Sequence, residues 1–67
     1  MDIKKLKETY QKGQRIKCIS MEDSYAVPPG TLGTIDSVDD IGTIHVSWDN
    51  GSTLGLIPNE DIFELVD

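Results

Sequence analysis

The chain has 67 residues, which is the size of one small domain. Its formal net charge is −6, and this charge is unevenly distributed along the sequence. Residues 1–17 contain six basic and two acidic residues, a net +4, whereas residues 18–67 contain ten acidic residues and no basic ones. An acidic body repels phosphate backbones, so any binding of nucleic acid would have to use the first seventeen residues.

The sequence lacks the motifs that are typical of enzymes, of metal sites and of membrane proteins. A single cysteine, Cys18, excludes an internal disulfide and is typical of the reducing cytoplasm, which is the location that we predict. No apolar run reaches the ~20 residues of a membrane span, and no signal peptide is predicted. No catalytic triad, phosphate loop or zinc spacing occurs. We therefore predict no enzymatic activity, no metal and no cofactor.

A short helix is predicted over residues 2–11. Asp2 can cap its first turn, and apolar side chains recur at helical spacing at Ile3, Leu6 and Tyr10. Gly13 supplies a stop signal. So short a helix is unstable in isolation, and it must pack on the rest of this chain or on a second copy. We treat residues 1–12 as this helical segment and residues 13–67 as the barrel of a single domain.

Two strands and a long loop follow the helix. The first strand is predicted from Arg15 to Ser20, with Ile16 and Cys18 pointing inward. Residues 21–30 form a loop, and residues 31–38 form the second strand. Because Ile35 and Val38 both suit the interior but lie three residues apart, a bulge is predicted near residues 36–37.

The clearest local signal is a hairpin over residues 42–56. Ile44, Val46 and Trp48 alternate with polar residues, which is the period of a strand with one buried face. Asn50-Gly51 then predicts a type I′ turn, because both residues accept a positive φ. The alternation resumes to residue 56, and Trp48 is expected to anchor the core.

The remaining residues complete a mainly β fold. Residues 57–61 are predicted to leave the sheet as a turn, and Phe63, Leu65 and Val66 to form a final strand. Five short strands joined by mostly tight turns predict a small five-stranded antiparallel barrel. Closing the sheet in this way hides its edges.

Several sequence blocks form a pattern that covers nearly the whole chain. The blocks are Gly13-Gln14-Arg15-Ile16, Met21-Glu22-Asp23-Ser24-Tyr25-Ala26-Val27-Pro28-Pro29-Gly30-Thr31-Leu32-Gly33-Thr34, Val38-Asp39-Asp40-Ile41-Gly42, Trp48-Asp49-Asn50-Gly51-Ser52, Leu54-Gly55-Leu56-Ile57-Pro58 and Phe63-Glu64. In these motifs the chain resembles a small family of domains of unknown function from bacteria, phages and conjugative elements. The resemblance implies an SH3-like barrel and a phage or mobile-element context, without a biochemical role. Leu32 departs from the pattern, since that position is usually polar, and it is expected to be exposed.

A second resemblance covers only residues 55–59. Gly55-Leu56-Ile57-Pro58-Asn59 is similar to the Gly-aliphatic-aliphatic-Pro-Ser-Asn-Tyr segment that lines the polyproline groove of SH3 peptide-binding domains. The Ser is missing here, and Glu60 stands where an aromatic residue would help to form the groove. A polyproline groove needs several aromatic side chains, and this chain has four in total. We therefore do not predict polyproline binding.

The loop at residues 21–30 is the main functional candidate. Pro28-Pro29 stiffens it, so that its aromatic and apolar groups can bind a partner at low entropic cost. We predict a non-catalytic module that binds another protein of unknown identity, in an unknown oligomeric state. The predicted contact residues are Tyr25, Val27, Pro28, Pro29, His45 and Pro58. The alternative is that this loop has only a structural role and positions the start of the second strand.

Charge suggests two further functions. The first is a nucleic-acid-associated accessory protein that uses Lys4, Lys5, Lys7, Lys12, Arg15 and Lys17. The second is an acidic mimic of DNA that occupies a nucleic-acid enzyme. A structural alternative is that the basic segment packs near the acidic body and neutralises part of it. The acidic cluster at Asp36, Asp39 and Asp40 lacks the ligand spacing of a calcium loop and is expected to be solvated.

Overall fold

The structure, a computed structural model, describes residues 2–66. Its elements are helix α1 (Ile3–Thr9) and strands β1 (Arg15–Ser20), β2 (Leu32–Val38), β3 (Ile44–Trp48) and β4 (Ile62–Val66). The strands form one antiparallel sheet in the order β3-β2-β1-β4. The prediction of a mainly β fold with one short helix is confirmed. A closed five-stranded barrel is not shown, because this sheet has four strands and β3 does not pair with β4.

The segment predicted to be another strand, residues 52–56, pairs with β3 only at its ends. Leu56 exchanges two backbone hydrogen bonds with Ile44, at 2.8 and 2.9 Å, but residues 52–55 belong to no strand. Between these ends, the Leu54 carbonyl accepts a hydrogen bond from Nε1 of Trp48 at 2.8 Å. In a continuous β-ladder the Leu54 carbonyl would accept from a backbone N–H group. Here it accepts from the side chain of Trp48 instead.

The turn after β3 also differs from the prediction. Gly51 has a φ of +91°, but no non-glycine residue in the described chain has a positive φ, so the turn at Asn50 is not type I′. The turn contains three residues, 49–51, closed by hydrogen bonds from the Gly51 N–H to the Trp48 carbonyl and from the Trp48 N–H to the Ser52 carbonyl, both 3.0 Å. The additional residue is Asp49, which pairs with the Arg15 guanidinium on β1.

Helix α1 begins one residue later than predicted, at Ile3, and ends two residues early, at Thr9. The Asp2 carboxylate accepts a hydrogen bond from the Lys5 N–H at 3.2 Å, which confirms the predicted cap. Tyr10 is already extended, and its ring packs edge-on against Phe63 of β4, with 5.4 Å between ring centroids. The residue that follows the helix therefore contacts the sheet, whereas none of the residues of α1 itself is buried. No helix in residues 2–66 is long and apolar enough to cross a membrane.

The core lies on one face of the bent sheet. Its buried apolar residues are Ile16, Cys18, Val27, Ile35, Ile44, Val46, Trp48 and Leu56. This confirms the inward positions predicted on β1 and β3, and Trp48 is only 3 % exposed. A Cβ atom on Gly33 would come within 2.8 Å of Trp48 Cε3 and 2.6 Å of Val46 Cγ1. The indole therefore lies where β2 has no side chain.

The other sequence predictions for the strands are confirmed closely. β1 has the predicted bounds, and β2 begins one residue later, at Leu32. The register between β2 and β3 shifts between Ile35 and Ser37, at the predicted bulge. Residues 58–60 form a turn before β4, and Leu32 is exposed.

Replacement of Trp48 should show how much of the stability depends on this indole. We expect Trp48→Ala to lower the free energy of unfolding by about 3–5 kcal/mol, because it empties the largest core position. Trp48→Phe should cost less, since it keeps most of the ring but leaves the Leu54 carbonyl without its donor. Urea unfolding measures both, and Ile41→Ala, which is 84 % exposed, is the control. A Trp48→Ala variant as stable as this control would contradict the proposed core.

Candidate interaction site

The loop between β1 and β2 has one buried anchor and one projecting aromatic side chain. Val27 is 3 % exposed and belongs to the core, where its carbonyl lies 3.7 Å from the Cys18 thiol, which donates to it. Tyr25, two residues earlier, is 84 % exposed. Burying one side chain in mid-loop therefore fixes the position of an aromatic residue that contacts little else.

Short hydrogen bonds hold the rest of the loop. The Asp23 carboxylate accepts from the Tyr25 N–H at 2.7 Å. At the other end, the Thr31 hydroxyl donates to the Pro28 carbonyl at 2.6 Å, and the Gly30 N–H donates to the Cys18 carbonyl at 2.7 Å. Together with the fixed φ angles of two successive prolines, these bonds leave the loop few alternative conformations.

A buried carboxylate joins this loop to the turn before β4. Asp61 is 8 % exposed, and one of its oxygens accepts from the Glu22 N–H at 3.0 Å while the other accepts from the Ile57 N–H at 2.8 Å. Hydrogen bonds to a charged acceptor are stronger than neutral ones. Asp61 therefore places residues 57–58 beside the start of the loop. Sequence analysis assigned Asp61 only to a turn, and no local pattern identified its role.

The resulting surface contains most of the predicted contact residues. Pro28 and Pro29 are exposed, Pro58 is half-buried, and Ile57, which the sequence analysis did not select, is exposed. We call Tyr25, Pro28, Pro29, Ile57 and Pro58 the loop face.

Two of the predicted contact residues lie outside the loop face. Val27 is not at the surface, because its side chain completes the core. His45 is exposed but pairs with Ser37, five residues along β2 from Leu32, where the loop ends. That distance is roughly 16 Å of strand. The structure therefore separates His45 from the loop face.

The side chain of His45, on β3, contacts instead the turn between β2 and β3. Its Nε2 atom lies 2.8 Å from Oδ2 of Asp39, whose Oδ1 accepts from the N–H groups of Ile41 and Thr43 at 3.1 and 2.9 Å. The bond with His45 lowers the pKa of Asp39, and the backbone donors lower it further. These hydrogen bonds of Asp39 stabilise the turn between β2 and β3, and one of them holds the His45 imidazole against the Asp39 carboxylate.

Two of the six basic residues predicted for nucleic-acid binding are engaged by acids of the body. Lys7 Nζ lies 2.6 Å from the Asp40 carboxylate. The Arg15 guanidinium contacts both oxygens of Asp49, at 2.5 and 3.0 Å, and this interaction lowers the pKa of Asp49. These pairs support the alternative that the basic segment neutralises part of the acidic body. The other four cations are Lys4, Lys5, Lys12 and Lys17.

The described residues do not bring reactive or metal-binding side chains together. Burial raises the pKa of the Cys18 thiol, and the nearby Asp61 carboxylate raises it further, so the thiol stays protonated. His45 is exposed while Cys18 is buried, so the two form no dyad. Residues 2–66 contain no group of three or more His, Cys, Asp or Glu side chains that could hold a metal ion.

Comparison with known proteins gives one match. A family model described as a domain of unknown function (DUF4314) matches residues 1–66. No curated protein and no solved structure matches the chain. The matched residues include α1, the loop face and all four strands.

Asp61→Ala tests whether the carboxylate holds the loop to the turn. We expect the free energy of unfolding to fall by about 2–3 kcal/mol, because the Glu22 and Ile57 N–H groups lose a charged acceptor whose own side chain is buried. Hydrogen exchange should accelerate most at the Glu22 and Ile57 amides. Glu60→Ala changes the neighbouring exposed carboxylate and is the matched control. Unchanged exchange at both amides in Asp61→Ala would contradict this role.

The Cys18 thiol should be unreactive in the folded protein. At mildly alkaline pH, we expect a thiol-specific reagent to modify the native protein at least about a hundredfold more slowly than the chain in guanidinium chloride. Because the pKa of Cys18 is raised on folding, its contribution to stability is complete below the pKa in the unfolded chain and is lost as the pH rises through the folded pKa. Equal reaction rates in the two states would contradict the burial of this residue.

Proposed function

The chain belongs to the DUF4314 family of domains of unknown function, and we propose that it is a non-catalytic SH3-like module that binds another protein through its loop face. The resemblance found in the sequence motifs supports a phage or mobile-element context, and the single cysteine supports action in the cytoplasm. The proposal has two parts, the architecture and the binding surface, and each rests on different observations.

The strand order supports the SH3-like architecture. The chain pairs β1 with β2 and β2 with β3, and β4 returns to the free side of β1. The segment that follows β3 pairs back on it at Leu56 and Ser52, on the edge that β2 leaves open. If this segment is counted as a fifth strand reduced to its ends, the order becomes that of a small five-stranded barrel. The Asp61 side chain then joins the segment after β3 to the start of the loop that follows β1, because it accepts hydrogen bonds from the Ile57 and Glu22 N–H groups.

The observation that carries the binding proposal is the exposure of Tyr25 on a loop that is fastened on both sides. A tyrosine that is 84 % exposed contributes little to stability, yet Asp23, Val27 and Asp61 hold its loop in position. Tyrosine is enriched in the centres of protein interfaces. A fixed loop loses little entropy on binding, so more of the contact energy appears as affinity.

The two charge-based alternatives receive less support from the geometry. For nucleic acid, Lys7 and Arg15 are paired with acids, so two of the six predicted phosphate contacts would first have to break an ion pair. Steep weakening of binding with salt would be the signature of that alternative. A DNA mimic needs solvated acids, but Asp36, Asp39 and Asp49 each accept hydrogen bonds within the chain.

Site-specific photo-cross-linking tests the proposal with a matched control. Tyr25 and Ile41 are both 84 % exposed and lie on different turns of the chain. We replace each, in separate proteins, with p-benzoylphenylalanine and irradiate them in cells that naturally contain the protein. We expect a discrete cross-linked protein from position 25 that is absent from position 41.

The products from position 25 separate the alternatives. A product that is digested by protease and resists nuclease supports the proposed function. A product that nuclease removes supports the nucleic-acid alternative instead. Identical product patterns from positions 25 and 41, or none from position 25, would contradict the loop face as a binding surface.

A further inference from the structure

The apolar loop face is bordered by carboxylates from both of the segments that form it. Glu22 and Asp23 lie in the loop, and Glu60 and Asp61 lie in the turn before β4. The hydrogen bonds of Asp61 to Glu22 and Ile57 bring these two segments together. Three exposed acidic residues, Glu22, Asp23 and Glu60, therefore lie in the segments that form the loop face, whereas Asp61 is buried, and residues 18–67 contain no basic residue.

Only two of these four carboxylates accept hydrogen bonds within the described chain. Asp23 and Asp61 accept backbone N–H groups that shape the loop. Glu22 and Glu60 are exposed, and in the described residues their side chains make no hydrogen bond or ion pair within the chain. Two negative charges beside the loop face are therefore available to a partner at no cost to the fold.

The opposite end of the sheet is different, because its acids are compensated. Asp40, in the turn between β2 and β3, is paired with Lys7 of α1. In the same turn, Asp39 accepts from His45 and from backbone N–H groups. Lys7 thus neutralises one acid at the helix end of the sheet. The described residues place no such cation beside Glu22 or Glu60.

We propose that the partner of the loop face is a protein segment that presents an arginine or lysine beside an apolar side chain. This inference rests on the proposed function and adds the chemistry of its partner. Complementary charge steers association and rejects acidic competitors. A cationic side chain can also stack on the exposed ring of Tyr25. A phosphate backbone would be repelled by the same acids, so nucleic acid does not fit this face.

Selection from a library of random linear peptides tests the inference. Peptides are selected on the wild-type protein after depletion on Tyr25→Ala, so that those retained depend on the loop face. We expect the retained peptides to be enriched in arginine or lysine next to an apolar residue. The highest-ranking peptide is then synthesised and titrated by fluorescence anisotropy against protein variants.

The variants isolate the effect of charge at this site. Glu22→Gln with Glu60→Gln removes the two unpaired carboxylates and should weaken binding about fivefold, the effect of two exposed charge contacts. Glu8→Gln with Glu64→Gln removes the same charge elsewhere and should leave binding unchanged. Added salt should weaken binding to the wild type and have less effect on the first double variant.

The outcomes distinguish this inference from the proposed function. Peptides that need Tyr25 but lack basic residues, or that bind equally to both double variants, would overturn the inference and leave the proposed function standing. Failure to retain any peptide that depends on Tyr25 would contradict both. Self-association of the wild type that Glu22→Gln with Glu60→Gln abolishes would identify a second copy as the occupant, and would overturn the assignment to a separate partner.

Discussion

The arrangement of this small domain depends on one buried carboxylate. The sheet is open, since β3 and β4 do not pair, and the Asp61 carboxylate spans the region between the end of β1 and the segment that follows β3. Without it, the Glu22 and Ile57 N–H groups would lose their acceptor within the chain, which is costly for partly buried hydrogen bonds. The same two hydrogen bonds place the loop beside residues 57–58. The interaction that completes the fold therefore also assembles the proposed binding surface.

A domain of this length has little apolar surface to bury, so each core side chain serves more than one purpose. Trp48 fills the space above Gly33, and its indole N–H also holds the segment after β3 through the Leu54 carbonyl. Val27 completes the core and at the same time fixes the middle of a ten-residue loop. The loop is held in place because Val27 packs in the core. With the loop fixed in this way, the side chain of Tyr25 projects into solvent.

Periodicity and capping chemistry were sufficient to predict β1, β3, the bulge in β2 and the Asp2 cap, because each depends on neighbours in sequence. The errors concern contacts between distant residues. The turn at Asn50 contains a third residue, Asp49, which pairs with Arg15, 34 positions away. Val27 is predicted at the surface because it belongs to a stiffened loop whose apolar groups suit a partner, but its side chain packs instead in the core with residues that are distant in sequence. The role of Asp61 could not be recognised, because one of its partners, Ile57, is four positions away but the other, Glu22, is 39 positions away in sequence.

The central claim is that the loop is held rigidly in the position that exposes Tyr25, and backbone ¹⁵N relaxation measures this directly. The account predicts order parameters for residues 22–30 close to those of β1 and β2, about 0.85, because Asp23, Val27 and Asp61 hold the loop along its length. Order parameters below about 0.6 across these residues would show a loop that moves independently of the sheet, and would contradict the account.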